Sequence, residues 1–292
     1  MKILVIGGSY FLGRHFVNLA LEEGMDITVF NRGTRPYNSG RIKELTGDRA
    51  VEDDLKKING NYDAIVDFCG YRKGDILSVK KTLDGCFGRY VFVSTVDVYK
   101  RGTGRLLNED AELETRDFGG EAGAYILGKA SLEEEIIQCD DYCIIRPAVI
   151  YGPGNYAPRE NIYFKWISAA HQVLEPEPSD GFFQMVYVKD VARALLNACK
   201  NEGYSKRAFN LSPPELITYR RFTEILKLST EIDFEVIKIT PEESFSAQVP
   251  FPFAMTAPES EKYDSSSIIE TGFEFTDITD GMKESWRQYV HS

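Results

Sequence analysis

The first two-thirds of this 292-residue chain alternates short apolar runs with helix-length segments. The runs are Lys2–Ile6, Ile27–Phe30, Ala64–Phe68, Tyr90–Ser94 and Tyr142–Arg146, with a weaker one near Lys43–Thr46. They are rich in Val, Ile and Phe, as in strands buried on both faces. Between them, Leu12–Glu23, Asp75–Leu83 and Ala124–Gln138 have helical length and pattern. Strand and helix in alternation specify an α/β fold, a doubly wound parallel sheet with right-handed crossovers.

The regularity fails after Tyr151, where the stretch to Phe183 is rich in Pro, Gly, Tyr and Phe. A pattern returns at Met185–Val188, followed by an expected helix from Asp190 to Lys200 with Asp190 as its N-cap. Arg207–Leu211 reads as one more strand, and Phe234–Ile239 as a short one among two or three helices. The expected organisation is a dinucleotide-binding domain over 1–154 plus 186–211. A smaller, mainly C-terminal substrate lobe, 155–185 plus 212–292, would sit over the carboxyl ends of the strands.

The chain carries 45 acidic and 34 basic residues, a net charge of −11. Such a surface repels nucleic acid and anionic membranes, while a small ligand can still bind a locally positive cleft. No apolar run approaches the ~20 residues of a membrane helix. The N-terminus enters a strand at once, without a basic stretch and apolar core, so no signal peptide and a cytoplasmic location are expected. The five cysteines form no CxxC pair and there are three histidines, which predicts no metal site.

Gly7-Gly8-Ser9-Tyr10-Phe11-Leu12-Gly13 follows the first strand and opens a helix. In that context Gly7 can make a tight turn, Gly13 can let the helix approach the sheet, and the helix N-terminus can take a pyrophosphate, as in Rossmann folds. Tyr10 stands where a middle glycine is usual, and its ring could either crowd the pyrophosphate or cover it. The second strand ends in Asn31-Arg32 rather than in the carboxylate that takes the ribose of NAD. A guanidinium there suits a 2′-phosphate, so NADP(H) is expected ahead of NAD. Asp48, after the third strand, could accept from an adenine amino group or cap its own loop.

Tyr125 and Lys129 stand four residues apart on a helix and share one face. A nearby ammonium would lower the phenol's pKa and fit it for proton transfer. The fifth strand ends in Val93-Ser94-Thr95-Val96-Asp97-Val98-Tyr99, where Ser94 or Thr95 could bond a reacting oxygen.

These landmarks together resemble the extended short-chain dehydrogenase/reductases, in their branch of NAD-dependent epimerases and dehydratases acting on nucleotide sugars. The likeness spans nearly the whole chain: GGSYFLG, VSTVDVY, YILGK, Arg146 to Gly154 (RPAVIYGPG), Met185 to Ala192 and Phe209-Asn210-Leu211. The resemblance implies a catalytic set of Thr95, Tyr125 and Lys129. It implies cofactor contacts from Gly7, Gly8, Ser9, Tyr10, Phe11, Leu12, Gly13, Asn31, Arg32, Asp48, Gly70, Tyr125, Lys129, Pro147 and Val149. Asp97, Asn155 and Arg159 are the candidates for substrate. The implied chemistry is removal of a hydroxyl proton by Tyr125 as hydride passes to nicotinamide, with Thr95 steadying the oxygen. A homodimer through the Tyr125 helix and the helix before it is also implied, with Leu132 and Ile136 either in that interface or against the sheet.

Two departures matter. Val96 and Asp97 replace the Asp-Glu pair of family dehydratases, so elimination lacks one carboxylate. Tyr10 and Asn31-Arg32 also resemble a bacterial branch related to a chloroplast stem-loop RNA-binding protein of the same fold. The readings are therefore an NADP(H)-linked epimerase or carbonyl reductase, or a dinucleotide sensor or RNA-binding scaffold without turnover. The retained Thr95, Tyr125 and Lys129 favour the first, and the charge of −11 opposes RNA.

Overall fold

The computed structural model describes residues 1–291. Its centre is a sheet of seven parallel strands. In chain order the strands are β1 (Lys2–Ile6), β2 (Asp26–Asn31), β3 (Ile42–Thr46), β4 (Tyr62–Asp67), β5 (Phe87–Val93), a short β6 (Leu106–Leu107), β7 (Asp141–Pro147), β8 (Val149–Tyr151), β9 (Gln172–Pro176), β10 (Met185–Tyr187), β11 (Arg207–Leu211), β12 (Glu235–Ile239) and β13 (Lys262–Tyr263). The central order is β11-β7-β5-β4-β1-β2-β3. The chain runs outward from β1 in one direction and returns at β4 to run outward in the other. The reversal opens a crevice at the carboxyl ends of β1 and β4, the usual ligand position in such sheets.

The helices are α1 (Phe11–Glu22), α2 (Glu52–Leu55), α3 (Asp75–Thr82), α4 (Gly120–Ile136), α5 (Glu160–Ala170), α6 (Val188–Lys200), α7 (Tyr219–Thr230), α8 (Pro241–Ser246), α9 (Ser266–Ile269) and α10 (Ile278–Val290). Side-chain alternation along β1 divides the core between two faces. Ile3 and Val5 join Phe16 and Val17 of α1 and Val191 and Leu195 of α6. Leu4 and Ile6 join Ile76 and Val79 of α3 and Leu132 and Ile136 of α4. Each such side chain contributes roughly 1.5–3 kcal/mol on full burial. Leu132 and Ile136 are 0% exposed, so they serve the sheet and are not available to a partner subunit.

Several boundaries differ from expectation. Helix α4 starts at Gly120, not Ala124, which places Tyr125 in its second turn. Asp190 is not an N-cap, because α6 already starts at Val188. Its buried carboxylate instead accepts from the Thr276 backbone and hydroxyl and from Arg193. The weak third run is a real strand, and its place at the sheet edge explains its polarity. Strand β10 pairs with β8 outside the central sheet.

The expected strand near Phe234–Ile239 is β12, and it pairs with β9, a strand that the sequence did not announce. Glu175 and Pro176 interrupt the apolar signal of β9. The aromatic-rich stretch packs into the core on the α1 and α6 face of the sheet. Phe183 stacks on Phe253 at 4.0 Å, with Tyr163, Tyr219 and Phe222 around them. Strand β13 pairs with β6, joining the lobe to the loop after β5. All five cysteines are free thiols.

Candidate active site

The glycine loop is shaped by close approach. Gly7 and Gly8 hold φ of 83° and 74°, and a Cβ on Gly13 would lie 2.2 Å from the Gly8 Cα. Only glycine lets α1 sit this near the turn. Phe11, at the junction, carries φ of 22°, a strained value for a residue with a side chain. No side chain caps α1, which leaves its first N–H groups for a ligand. Tyr37 donates to the Gly8 carbonyl at 2.5 Å and steadies the turn. The Tyr10 ring is 43% exposed, with the Arg35 guanidinium 3.7 Å above it and Tyr156 edge-on at 5.7 Å.

Two buried polar atoms lack a partner in this groove, Ser9 Oγ and Asn31 Nδ2. Buried polar atoms are almost always bonded, so their position beside an uncapped helix fits a dinucleotide. Arg32 is exposed at the end of β2. Asp48 accepts from the Ala50 amide at 2.9 Å, so its carboxylate caps its own turn. Gly70 is buried at the end of the β4 loop, where a Cβ would meet Phe92 at 3.0 Å.

Thr95 caps the short 3₁₀ turn Val96–Val98 and shares a hydrogen bond with Asp97. Ser94, the alternative hydroxyl, is 4% exposed and donates to Glu133 at 2.5 Å. Thr95, in contrast, lies within hydrogen-bond reach of Tyr125 on the cavity wall. Lys129 is 2% exposed and donates to the Val93 carbonyl at 2.7 Å, its ammonium 4.7 Å from the Phe92 ring and 4.8 Å from that of Tyr71. Burial lowers its pKa to about 8. Gly128 makes the Tyr71 approach possible, since a Cβ would lie 2.0 Å from the Tyr71 carbonyl oxygen.

Tyr125 differs from expectation. Its pKa is raised to about 12 by burial and then by the Asp97 carboxylate, against the lowering influence of Thr95 and Arg159. Although 37% of the residue is exposed, its hydroxyl is desolvated. The Lys129 ammonium lies 5.9 Å from the Tyr125 ring centroid and is turned to Val93, so it does not offset these effects. The free protein therefore holds Tyr125 as a phenol.

Thr95, Asp97, Tyr125, Pro147, Val149 and Arg159 converge on one cavity of about 440 Å³ between sheet and lobe. Asp97 is also ion-paired with Arg101 at 2.6 Å. Arg159 donates to the Ile150 carbonyl at 3.0 Å. Asn155 is not part of this wall. Its amide donates to both oxygens of buried Glu160, and its carbonyl accepts from the Ala157 amide.

Sequence reasoning missed the support beneath the site. Glu133 lies on the face of α4 that carries Tyr125 and Lys129. It receives Ser94 and Arg146, the latter at 2.6 Å, with the two side chains 3% and 5% exposed. Arg146 continues to Tyr99, and Tyr99 to Asn210. A second buried pair, Arg49 with Asp67 at 2.7 Å, sits at the end of β4 with Tyr90 donating to Asp67. Glu133 was legible as a third step of the Tyr125–Lys129 spacing, but its partner required the tertiary fold.

A sequence model of the NAD dependent epimerase/dehydratase family matches residues 3–212. Among curated proteins, the chain is 27% identical over 273 residues to the chloroplast stem-loop binding protein of 41 kDa b from Arabidopsis thaliana, covering 86% of this chain and 70% of that one. Among solved structures, a UDP-N-acetylglucosamine 4-epimerase from Methanobrevibacter ruminantium, in complex with UDP-N-acetylmuramic acid, matches with a TM-score of 0.79 at 15% identity, over 99% of this chain and 98% of that one. A UDP-glucose 4-epimerase from Thermotoga maritima, with UDP-glucose, matches with a TM-score of 0.79 at 18% identity, over 100% and 99%. At these identities the structures establish a shared fold. Among the described residues, no helix is long and apolar enough to cross a membrane.

Removing the Glu133 charge should leave Arg146 buried without its counter-ion. Glu133→Gln is expected to cost about 3–5 kcal/mol in urea unfolding, the range for breaking a buried pair. A loss under about 1 kcal/mol, the range for an exposed pair, would show that the network does not hold α4 in place.

Proposed function

The chain belongs to the NAD dependent epimerase/dehydratase family, and from that premise we propose that it moves hydride at a hydroxyl or keto carbon with NADP(H), Tyr125 carrying the proton. The observation that carries this reading is the convergence of Thr95, Tyr125 and Arg159 on one cavity at the carboxyl ends of the strands.

Ser9, the uncapped start of α1 and the glycine turn would hold the pyrophosphate, with Asn31 toward the adenosine ribose, Lys129 toward the nicotinamide ribose, and Pro147 and Val149 beside the nicotinamide. When bound, the dinucleotide supplies the hydride acceptor or donor. Thr95 Oγ1 orients the substrate oxygen and stabilises charge developing on it. Tyr125 Oη, protonated in the free protein, gives its proton to a carbonyl oxygen on reduction and takes it back on oxidation. Three arginines near the end of β2, Arg14, Arg32 and Arg35, make no ion pair among the described residues. In a chain of net charge −11, that local excess supports NADP(H) over NAD. The UDP-linked ligands of the two epimerase structures and the position of Arg159 on the cavity wall support a nucleotide sugar as substrate.

The likeness to a chloroplast stem-loop binding protein favours a second reading, an RNA-binding scaffold. It predicts salt-dependent RNA affinity, and indifference of that affinity to Tyr125.

In a screen of nucleotide sugars and simple carbonyls, Tyr125→Phe should lower kcat by about 10²–10⁴. Its NADPH affinity should stay within roughly threefold of the parent, since the loss is confined to the transition state. Full activity in Tyr125→Phe removes the proton role.

Lys129 supplies a pH signature. Its ammonium is lost in the free protein as pH rises through about 8. A polyanionic dinucleotide prefers the charged form. NADPH affinity should therefore be greatest below that pH and decline above it, while Lys129→Met should bind more weakly with no such decline. A decline of equal slope in Lys129→Met would assign it to another group.

A further inference from the structure

Three aromatic rings stand exposed along the dinucleotide groove, where they add nothing to either core: Tyr10 at 43%, Tyr71 at 49% and Tyr156 at 73%. Two of them join separate segments of the chain. Tyr10 belongs to the phosphate loop. Arg35, from the loop after β2, lays its guanidinium 3.7 Å over the Tyr10 ring. Tyr156, from the loop between β8 and α5, meets Tyr10 edge-on at 5.7 Å and Phe11 at 6.3 Å. That loop is tied back to α1, because His15 Nε2 lies 2.8 Å from the Pro153 carbonyl. Tyr156 is also near enough to Tyr71 and Tyr125 to act on both phenols electrostatically. A line of contacts thus runs from Arg35, at the adenosine end, through Tyr10 and Tyr156 toward Tyr125, at the catalytic end.

We infer that Arg35, Tyr10 and Tyr156 form a clasp over the dinucleotide groove and set the rate at which the dinucleotide leaves. The inference rests on the reading that a dinucleotide occupies that groove. A planar guanidinium and two rings need little further ordering on closure, since Arg35 already lies over the Tyr10 ring and Tyr156 already meets it edge-on. Tyr10 in place of a glycine then covers the pyrophosphate loop rather than blocking it. Slow release suits an enzyme that returns the hydride to the same bound substrate, and it handicaps a reductase, which must exchange its dinucleotide at every turnover.

The test is stopped-flow displacement of NADPH by excess NADP⁺, followed by reduced-nicotinamide fluorescence, for the parent chain and for Tyr10→Gly, Tyr156→Ala and Arg35→Ala. Dissociation should accelerate about tenfold, or about 1.4 kcal/mol, in Tyr10→Gly and in Tyr156→Ala. The double variant should be no faster than the faster single one, because the rings act as a unit. Arg35→Ala also removes a charge near the 2′-phosphate, so its release is read with NADH displaced by NAD⁺, where the same acceleration is expected without touching the turn. Dissociation within about twofold of the parent in all three variants overturns the clasp while leaving the dinucleotide reading intact. Slower dissociation from Tyr10→Gly would make Tyr10 an obstruction and also overturn it. Failure of the parent to bind NADPH at all would remove the dinucleotide reading, and the clasp with it.

Discussion

Glu133 and Arg146 meet in the interior with almost no access to water. Taking two charges out of water costs several kcal/mol per ion, recovered only when each is fully bonded. Glu133 receives Ser94 and Arg146, and Arg146 also reaches Tyr99 and the Glu109 carbonyl. The network therefore has one satisfied arrangement, and that arrangement pins α4 to the carboxyl ends of β5, β7 and β11. Two turns before Glu133 on the same helix face stands Tyr125, and one turn before it Lys129. The positions of both follow from where Glu133 is anchored. Thr95 follows from the same anchor, since its neighbour Ser94 is held by Glu133.

The two ends of the groove differ electrostatically. Near β2, the guanidinium groups of Arg14, Arg32 and Arg35 gather without a carboxylate partner among the described residues. At the end that holds Tyr125 the charges are mixed: Asp97 with Arg101, Arg159 toward Tyr125, and Lys129 buried among rings. In an acidic protein a basic recess attracts anions locally, against the repulsion of the rest of the surface. Lys129 keeps its proton at neutral pH despite burial, helped by the Asp67 carboxylate, which Arg49 holds in place. Thr95 and Lys129 are thus each set by an ion pair one layer below, Glu133–Arg146 for the first and Asp67–Arg49 for the second.

The sheet was legible because its strands are buried on both faces and leave an unbroken apolar signal. The glycine loop was legible because Gly13 tolerates no side chain. Other features depended on contacts distant in sequence. Leu132 and Ile136 look the same whether a helix packs on a sheet or on a second subunit, and only their burial decided it. Asn155 has the residue type of a phosphate ligand, yet Glu160, five residues on, takes its amide. The Tyr125–Lys129 spacing identified the pair but not its electrostatics: Lys129 turns to the Val93 carbonyl, and burial, then Asp97, pushes the phenol the other way. Strand β9 was hidden by Glu175 and Pro176, which pairing with β12 accommodates. Arg35 and Tyr156 carried no motif, and their bearing on the groove comes entirely from the fold.

The proposed chemistry requires that the crevice between β1 and β4 receive a nicotinamide dinucleotide carrying a 2′-phosphate. Equilibrium titration of the purified protein with NADPH and with NADH, followed by reduced-nicotinamide fluorescence, tests it most directly. Saturable NADPH binding is expected, with NADH binding at least about tenfold weaker, the value of one charge-assisted contact to a phosphate. Absence of binding by either dinucleotide at about millimolar concentration, where even a −4 kcal/mol interaction would register, would contradict it and leave the scaffold reading in its place.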